Sequence, residues 1–562
     1  MAAPVVTLGK GEKTAECIAI VNGTVSECGP LDLVISKIPE IGQIVDFRPN
    51  AVVPGFIDPH HHMFLVACEE FGWQIPGEYP TTIEDVKRYI AGIVASIRPE
   101  NPLGWVRVQG YRPLSLSERR PLRRHELDSV CPDLPAVVFT STYHEATVNS
   151  LGLECLSITP QTPDPPGGHI GRDRHGSPNG ILIEAASFLA EAKSRLSELE
   201  PGGAWIGNAR AHINRLLRAG ITRIGDCAVP PSGITGFLDL EARHRIPINI
   251  HCFPVAQGSI AQPLDQAIEH NGSRIHVGHS KILVDGGEHC HLCFTRSQMA
   301  RAVTNTLIST FTNGPGAIRV SMRGGKMRRG SDGRYHSGLV ITPDRTLENL
   351  VRNQASAGQQ VALHCVGNGA CESAISVLST ASFDLEGLKG RPRIEHAFIV
   401  DPTMISQMAE LEVEVVTQPI FLDGDLGKEL TMVKPPEHLK VLPLDDMLAS
   451  GCRVSISSDY PAAPFEPLVW MKSILRRYSG SRAGRSSGYL DSPDKILPLF
   501  TTNAARSLGL EHPAGTLLVG ASADFVVLSR NLMSATLDTI DEIQILETWV
   551  HGEQVYSSSN SI

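Results

Sequence analysis

Apolar positions along the chain fall into two textures. At both ends they come in short runs broken by turn residues. Cys17 to Val21 leads into Asn22-Gly23, a hairpin signal, then Val25 and Leu33 to Ile35. No helical period of any length fits residues 17–53. Near the other end Gly515-Thr516 leads into Ala523 to Leu528, and Ile543 to Val550 is followed by His551-Gly552 and Val555-Tyr556. Two β-rich ends around a long middle predict one small β-sandwich domain assembled from residues 1–51 and 511–562.

The middle, residues 52–510, repeats strand and helix. Strands are predicted at Val52–Ile57, Ile221–Cys227, Ile248–Phe253, Ile275–Val284, Val361–His364, Arg393–His396, Val413–Gln418 and Arg453–Asp459. Most are near-continuous apolar runs, as parallel strands covered on both faces require. Helical periods lie around them, at Trp205 to Leu217, Leu347 to Ala357 and Met404 to Leu411. Eight such units predict an α/β fold of the (β/α)₈ TIM barrel type. Two connections exceed simple loops. Residues 63–220 carry their own helix, with Ile83, Val86, Ile90, Ile93 and Ile97 on one face and Thr82 as N-cap, and a strand at Ala136 to Thr140. They are expected to form an inserted α/β subdomain after the first barrel strand. The second connection, from Asp285 to Gln360, includes the Gly- and Arg-rich run 323–330.

Composition narrows the class. The chain has 562 residues, 42% hydrophobic and 20% charged, with a formal net charge of −10. That balance is ordinary for a soluble enzyme and argues against a nucleic-acid partner, whose binding needs a basic face. No apolar run approaches the ~20 residues that span a bilayer, and Met1 to Glu12 lacks a signal-peptide pattern. A cytoplasmic protein with a small-molecule substrate, no membrane partner and room for a homo-oligomer is expected. The twelve cysteines are scattered and read as buried free thiols.

Polar residues at the predicted strand ends carry the chemistry. Pro54 to Ile57 runs into Asp58-Pro59-His60-His61-His62. Strand alternation lets His60 and His62 face one point while His61 faces away. Two converging imidazoles make half of a transition-metal site; three unrelated histidines in a polar turn are the alternative. Lys281 lies in the fourth strand, His364 and His396 end the fifth and sixth, and Asp459 ends the eighth. Singly, each histidine could be a hydrogen-bonded core residue. Together they would converge on the barrel mouth where catalytic residues gather.

With these residues in place, the pattern resembles the amidohydrolase superfamily, in its YtcJ-like or amidohydrolase 3 branch, almost end to end. The matching stretches are Pro54 to His62, Thr162 to Gly168, Gly180 to Glu184, Lys281 with Asp285-Gly286, His364 to Asn368, Arg393 to Ala397, Ser458 to Pro461, Thr502 to Arg506, Gly515 to Gly520 and Ala523 to Phe525. The resemblance implies one or two divalent metals, by expectation zinc. His60, His62, His364, His396, Asp459 and Lys281 would be the ligands, Lys281 as an N6-carboxylated bridge. An ammonium offers no lone pair, whereas a carbamate is an anionic oxygen ligand. It further implies hydrolysis of a C–N bond other than an ordinary peptide bond, in an N-substituted amide, formamide or carbamate. A metal-activated hydroxide would attack and Asp459 would shuttle the proton. Lactone or ester hydrolysis on the same centre, and a non-catalytic binding protein, are the alternatives. His144, Glu184 and Gln418 are the expected substrate contacts. Asn368 stands where the family usually has Asp, removing a charge near the ligands. His289-Cys290-His291-Leu292-Cys293 has one CxxC pair, a weak zinc signal by itself. The Arg323–Arg329 run and Arg476, Arg477, Arg482 and Arg485 read as solvated charge on loops.

Overall fold

The computed structural model describes residues 5–9, 13–38, 42–69, 73–75, 80–97, 104–194, 204–256, 269–314, 317–318, 327–380, 390–424, 427, 433–436, 438–478 and 490–560. Its architecture is α/β. Four parallel strands, Phe56–His61, Ile221–Val229, Asn249–Pro254 and Ile275–Val277, pair in chain order. A second set, His279–Leu283, Gln360–Cys365, Arg393–His396, Glu414–Thr417 and Arg453–Ile456, does the same. The two sets meet at both seams. Val255 bridges Lys281 in parallel at one. At the other, Asp459 N–H donates to the His60 carbonyl at 2.9 Å and His62 N–H to the Tyr460 carbonyl at 3.1 Å. Every residue of Phe56–His61, Asn249–Pro254 and Gln360–Cys365 is buried. The near-continuous apolar runs therefore correspond to strands covered on both faces.

Two expected strands are each divided by a glycine. The run Val52–Ile57 is two elements. Ala51–Pro54 pairs antiparallel with Phe525–Leu528, in a six-stranded sheet that mixes both chain ends, and Phe56–His61 begins the parallel set. Residues 52–54 thus belong with the terminal sheet. Gly55 sits at the crossing, where a Cβ would stand 2.4 Å from Thr222 Oγ1, so the close approach requires glycine. The expected strand Ile275–Val284 breaks at Gly278, its first half pairing with Asn249–Pro254 and its second with Gln360–Cys365. The expectation that residues 17–53 contain no helix is also corrected. Leu31–Lys37 is helical, with Asp32 in its first turn and Lys37 in its last, matching the macrodipole. A three-residue apolar run cannot distinguish strand from helix, and here only Val34 is buried.

The first long connection contains a six-stranded sheet ordered Gly168–Arg172, Pro178–Glu184, Glu145–Val148, Ala136–Thr140, Val106–Tyr111, Trp73–Gln74. Its helix Ile83–Ser96 begins with a Thr82/Asp85 capping box and buries Ile83, Val86, Ile90 and Ile93, the face read from the sequence. The second connection contains a three-stranded sheet, Leu292–Phe294, Tyr335–Ser337 and Arg328–Arg329, and the helix Arg296–Asn313. Arg328 and Arg329 are exposed, and Arg476 pairs with Asp423. Residues 323–326, Arg482 and Arg485 lie outside the described residues.

Candidate metal centre and its cavity

Strand alternation sends His60 and His62 inward, and Asp459 meets both. Asp459 Oδ1 lies 2.8 Å from His62 Nε2 and 3.4 Å from His60 Nε2. Lys281 Nζ lies 3.4 Å from His60 Nε2. The His396 ring is 5.0 Å from His60 and 4.5 Å from His364, centre to centre. His60, His396 and Asp459 each offer a ligand atom, all within 4.8 Å of one another. Two of these donors, His396 (φ 73°) and Asp459 (φ 54°), adopt left-handed backbone. That conformation breaks strand alternation and re-aims the side chain, and such residues gather at functional sites. It explains how Glu395 and His396, adjacent in sequence, both reach the centre.

The outer nitrogens set the inner ones. His60 Nδ1 is 2.6 Å from Glu395 Oε2, His62 Nδ1 is 2.9 Å from the Cys227 carbonyl, and His396 Nδ1 is 2.8 Å from Gln418 Oε1. Each oxygen accepts a hydrogen bond from Nδ1–H, which leaves Nε2 as a lone pair toward the centre, the arrangement that metal-ligating imidazoles use. His396 Nε2 and His364 Nδ1 are buried with no hydrogen-bond partner among the described residues. Such orphans are rare without a ligand to satisfy them. Burial, with a smaller effect from the Lys281 charge, holds His60 and His364 well below the ordinary imidazole range. His396 is held to about 3, by burial and then by His364. All three are neutral, as ligands must be. Burial pushes the Cys227 thiol up to about 12, so with no metal bound it stays protonated.

His61 faces away, as expected. It bonds Asp58 Oδ2 at 2.9 Å and His212 Nε2 at 2.8 Å. His144 lines the cavity. Two expected substrate contacts are corrected. Gln418 is fully buried, with Oε1 on His396 and Nε2 donating to Ser457 Oγ at 2.9 Å, so its amide positions the His396 ring. Glu184 is also fully buried, behind His144, with Oε2 2.5 Å from His144 Nδ1. Glu395 and Asp285 lie in matched stretches, but the sequence reading gave neither a role. Glu395 is locked by Arg393 at 2.7 Å and holds His60. Asp285 approaches His364 Nδ1 at 3.4 Å while accepting from the N–H groups of Val366, Gly367 and His291. The signal for Glu395 was its period-two spacing from Arg393, both inside a buried strand.

Asn368 gains a physical account. Its Oδ1 accepts from Cys293 N–H at 3.0 Å and its Nδ2 donates to the Cys293 carbonyl at 2.7 Å, fully inside the protein. The amide anchors a strand of the small sheet to the helix Asn368–Ser379. A carboxylate cannot donate the second bond. Asn368→Asp is therefore expected to destabilise the fold by about 1–3 kcal/mol, read as a lower urea midpoint at unchanged slope.

The centre opens into a cavity of about 1360 Å³. Its floor carries His60, His62, Lys281, His364, His396 and Asp459; Phe64, Phe188, Phe294, Phe398 and Phe421 line its walls. Imidazole and carboxylate donors grouped at parallel strand ends, under a largely apolar cavity, define a metal-dependent hydrolase. The chain belongs to the amidohydrolase family, whose model matches residues 43–556. It is a hydrolase acting on carbon–nitrogen bonds, in the YtcJ-like branch. It is 25% identical to the N-substituted formamide deformylase of Arthrobacter pascens, across 99% of this chain and 97% of that one. It is 23% identical to YtcJ of Bacillus subtilis (strain 168), across 98% of each. The fold matches a metal-dependent hydrolase of Pyrococcus horikoshii OT3 with a TM-score of 0.67, at 19% identity, over 95% of this chain and 98% of that structure. Among the described residues no helix is long and apolar enough to cross a membrane.

Proposed function

We propose that this protein hydrolyses an N-substituted amide, formamide or carbamate, other than an ordinary peptide bond, at a divalent metal centre. The parallel sheets meeting at both seams support reading the chain from Phe56 to about residue 510 as a (β/α)₈ barrel. The inserted subdomain would cover its mouth, and both termini would supply a small β-sandwich. The observation that carries the functional reading is the set of imidazoles whose Nδ1 atoms are tied outward while their Nε2 atoms converge on Asp459 and Lys281. His60, His62 and Asp459 would hold one ion. His364, His396 and a carboxylated Lys281 would hold a second or complete a single site. Nitrogen-rich, carboxylate-completed donor sets suit zinc. When bound, the metal supplies Lewis acidity toward a carbonyl and a water acidic enough to attack near neutral pH.

The chain's own groups do the rest. Asp459 receives the attacking water's proton and returns it to the leaving nitrogen. The apolar walls exclude bulk water and seat a hydrocarbon N-substituent. Removing the metal with a chelator is expected to abolish hydrolysis of N-substituted formamides and lower the thermal midpoint, with zinc restoring both. A protein purified metal-free, with a midpoint unchanged by chelator, would end this reading.

His144 is the substrate contact on the cavity wall. Burial opposes its protonation, but the Glu184 carboxylate outweighs burial and raises its pKa above that of an ordinary imidazole. The cation therefore persists to higher pH, where it can donate to the substrate's carbonyl oxygen, and is lost as pH rises through the raised value. KM is expected to climb along that alkaline limb. His144→Asn should flatten the limb and raise KM more than it lowers kcat; an unchanged KM–pH profile would remove His144 from substrate binding.

A further inference from the structure

The small sheet that walls the cavity has two faces, and only one belongs to the cavity. Strand alternation turns Leu292 and Phe294, with Ser337 of the neighbouring strand, toward the cavity. His291, Cys293 and His336 are absent from that lining. Cys293 and His336 are direct cross-strand partners, and the turn between the other two strands brings in Asp332. The CxxC pair noted in the sequence is thereby separated. Cys290 lines the cavity and Cys293 joins residues some forty positions downstream.

We propose that Cys293, Asp332 and His336 form a second transition-metal site, on the outer face of the cavity-wall sheet and separate from the catalytic centre. Their ligand atoms lie within 4.8 Å of one another. His336 Nε2 is 3.9 Å from Cys293 Sγ, and 3.2 and 3.1 Å from the two Asp332 oxygens. A tetrahedral zinc with bond lengths of about 2.0 Å to nitrogen or oxygen and about 2.3 Å to sulfur sets ligand–ligand edges of about 3.3–3.5 Å. The observed edges straddle that range. The other nitrogen of His336 is already engaged, with Nδ1 3.1 Å from His291 Nε2, so Nε2 is the one directed at Cys293 and Asp332. An outer partner that fixes the ring in this way is what metal-binding histidines carry. Burial pushes the Cys293 thiol up to about 11 and the nearby Arg334 charge opposes this, as a bound cation would; Arg334 is itself paired through Nη1 with both Glu372 oxygens at 2.7 Å. Cys293 is fully buried, while His336 and Asp332 are partly exposed, which leaves a fourth position facing solvent.

An ion held there ties two strands and their turn together on the far side of the wall that Leu292 and Phe294 present to the substrate. The same strand is gripped at Cys293 by Asn368, four residues after His364. Occupancy would stiffen the cavity wall. The site stands independently of the proposed activity, because its readout is metal content.

The test uses the full-length protein loaded with Zn²⁺ and, separately, with Co²⁺. The variants are Cys293→Ser, Asp332→Asn and, as a control at an exposed cysteine away from both sites, Cys155→Ser. Wild type and the control should each hold one zinc per chain more than either site variant. The cobalt form of wild type should show thiolate-to-metal charge-transfer absorption that Cys293→Ser lacks and Cys155→Ser keeps. Asp332 lies on an exposed turn, so loss of zinc in Asp332→Asn cannot be assigned to misfolding. Equal zinc content across the four proteins, or no thiolate absorption in wild type, overturns the proposal and leaves Asp332 and His336 as a hydrogen-bonded surface pair.

Discussion

Asp459→Asn is expected to lower kcat by about 10³–10⁴-fold, toward the upper end of what a positioned general base contributes. Metal should remain bound. Asp459 stands at the seam where the last parallel strand returns to the first, its backbone N–H fixed on the His60 carbonyl. Burial would push its pKa up, yet His60, His62 and His396 together hold it well below the usual carboxylate range. A carboxylate so held stays ionised throughout the neutral range, and a bound cation would hold it ionised further. It can accept a proton from an attacking water and release it readily to a more basic nitrogen. Asparagine keeps the size, keeps an oxygen facing the centre beside His62 Nε2, and tolerates the left-handed φ of 54° almost as well as aspartate. It loses only the charge and the basicity. Turnover is therefore the sensitive readout, and the thermal midpoint should move little. Wild-type kcat in a fully metallated Asp459→Asn enzyme would remove the shuttle role.

The residues that were legible in the sequence share a physical cause. Buried parallel strands must be apolar along their length, so a polar residue closing such a run stands out. Five of the six proposed ligands, His60, His62, His364, His396 and Asp459, close such runs; Lys281 lies inside one, and its proposed ligand role came from the family resemblance. Their supports were not legible in that way. Glu395 lies 335 positions from His60, and Gln418 is fixed on His396 across a neighbouring strand. Local periodicity carries no record of partners that closure of the sheet brings together. Left-handed residues such as His396 and Glu184 also invert the in–out alternation on which a strand reading rests. Glu184 was expected against substrate and instead backs His144, because its backbone turns there. The Cys293, Asp332 and His336 group was hidden for a related reason. The local CxxC spacing pointed to Cys290, whereas sheet register pairs Cys293 with His336.

Lys281→Ala is expected to remove at least one metal ion per chain and lower kcat by about a thousandfold, and the lost activity should return in part with added formate or acetate. Lys281 is fully buried, with Nζ 3.4 Å from His60 Nε2 and its neighbours His60, His364 and His396 held neutral. As an ammonium it would oppose any cation bound at those imidazoles. Two unit charges 4 Å apart interact by about 4 kcal/mol at an effective dielectric constant of 20, and a divalent ion doubles the repulsion. Carboxylation of Nζ reverses the sign and adds an oxygen donor, so the same distance becomes attractive. Losing even half of the resulting attraction, about 4 kcal/mol, corresponds to about a thousandfold in binding or rate. Alanine leaves a space where the lysine side chain was, and a small carboxylate entering it would place an anionic oxygen near the lost one. An amine of similar size would restore a cation instead. Recovery with formate or acetate and none with methylamine supports the carbamate; recovery with methylamine alone would assign Lys281 the role of a substrate-facing cation.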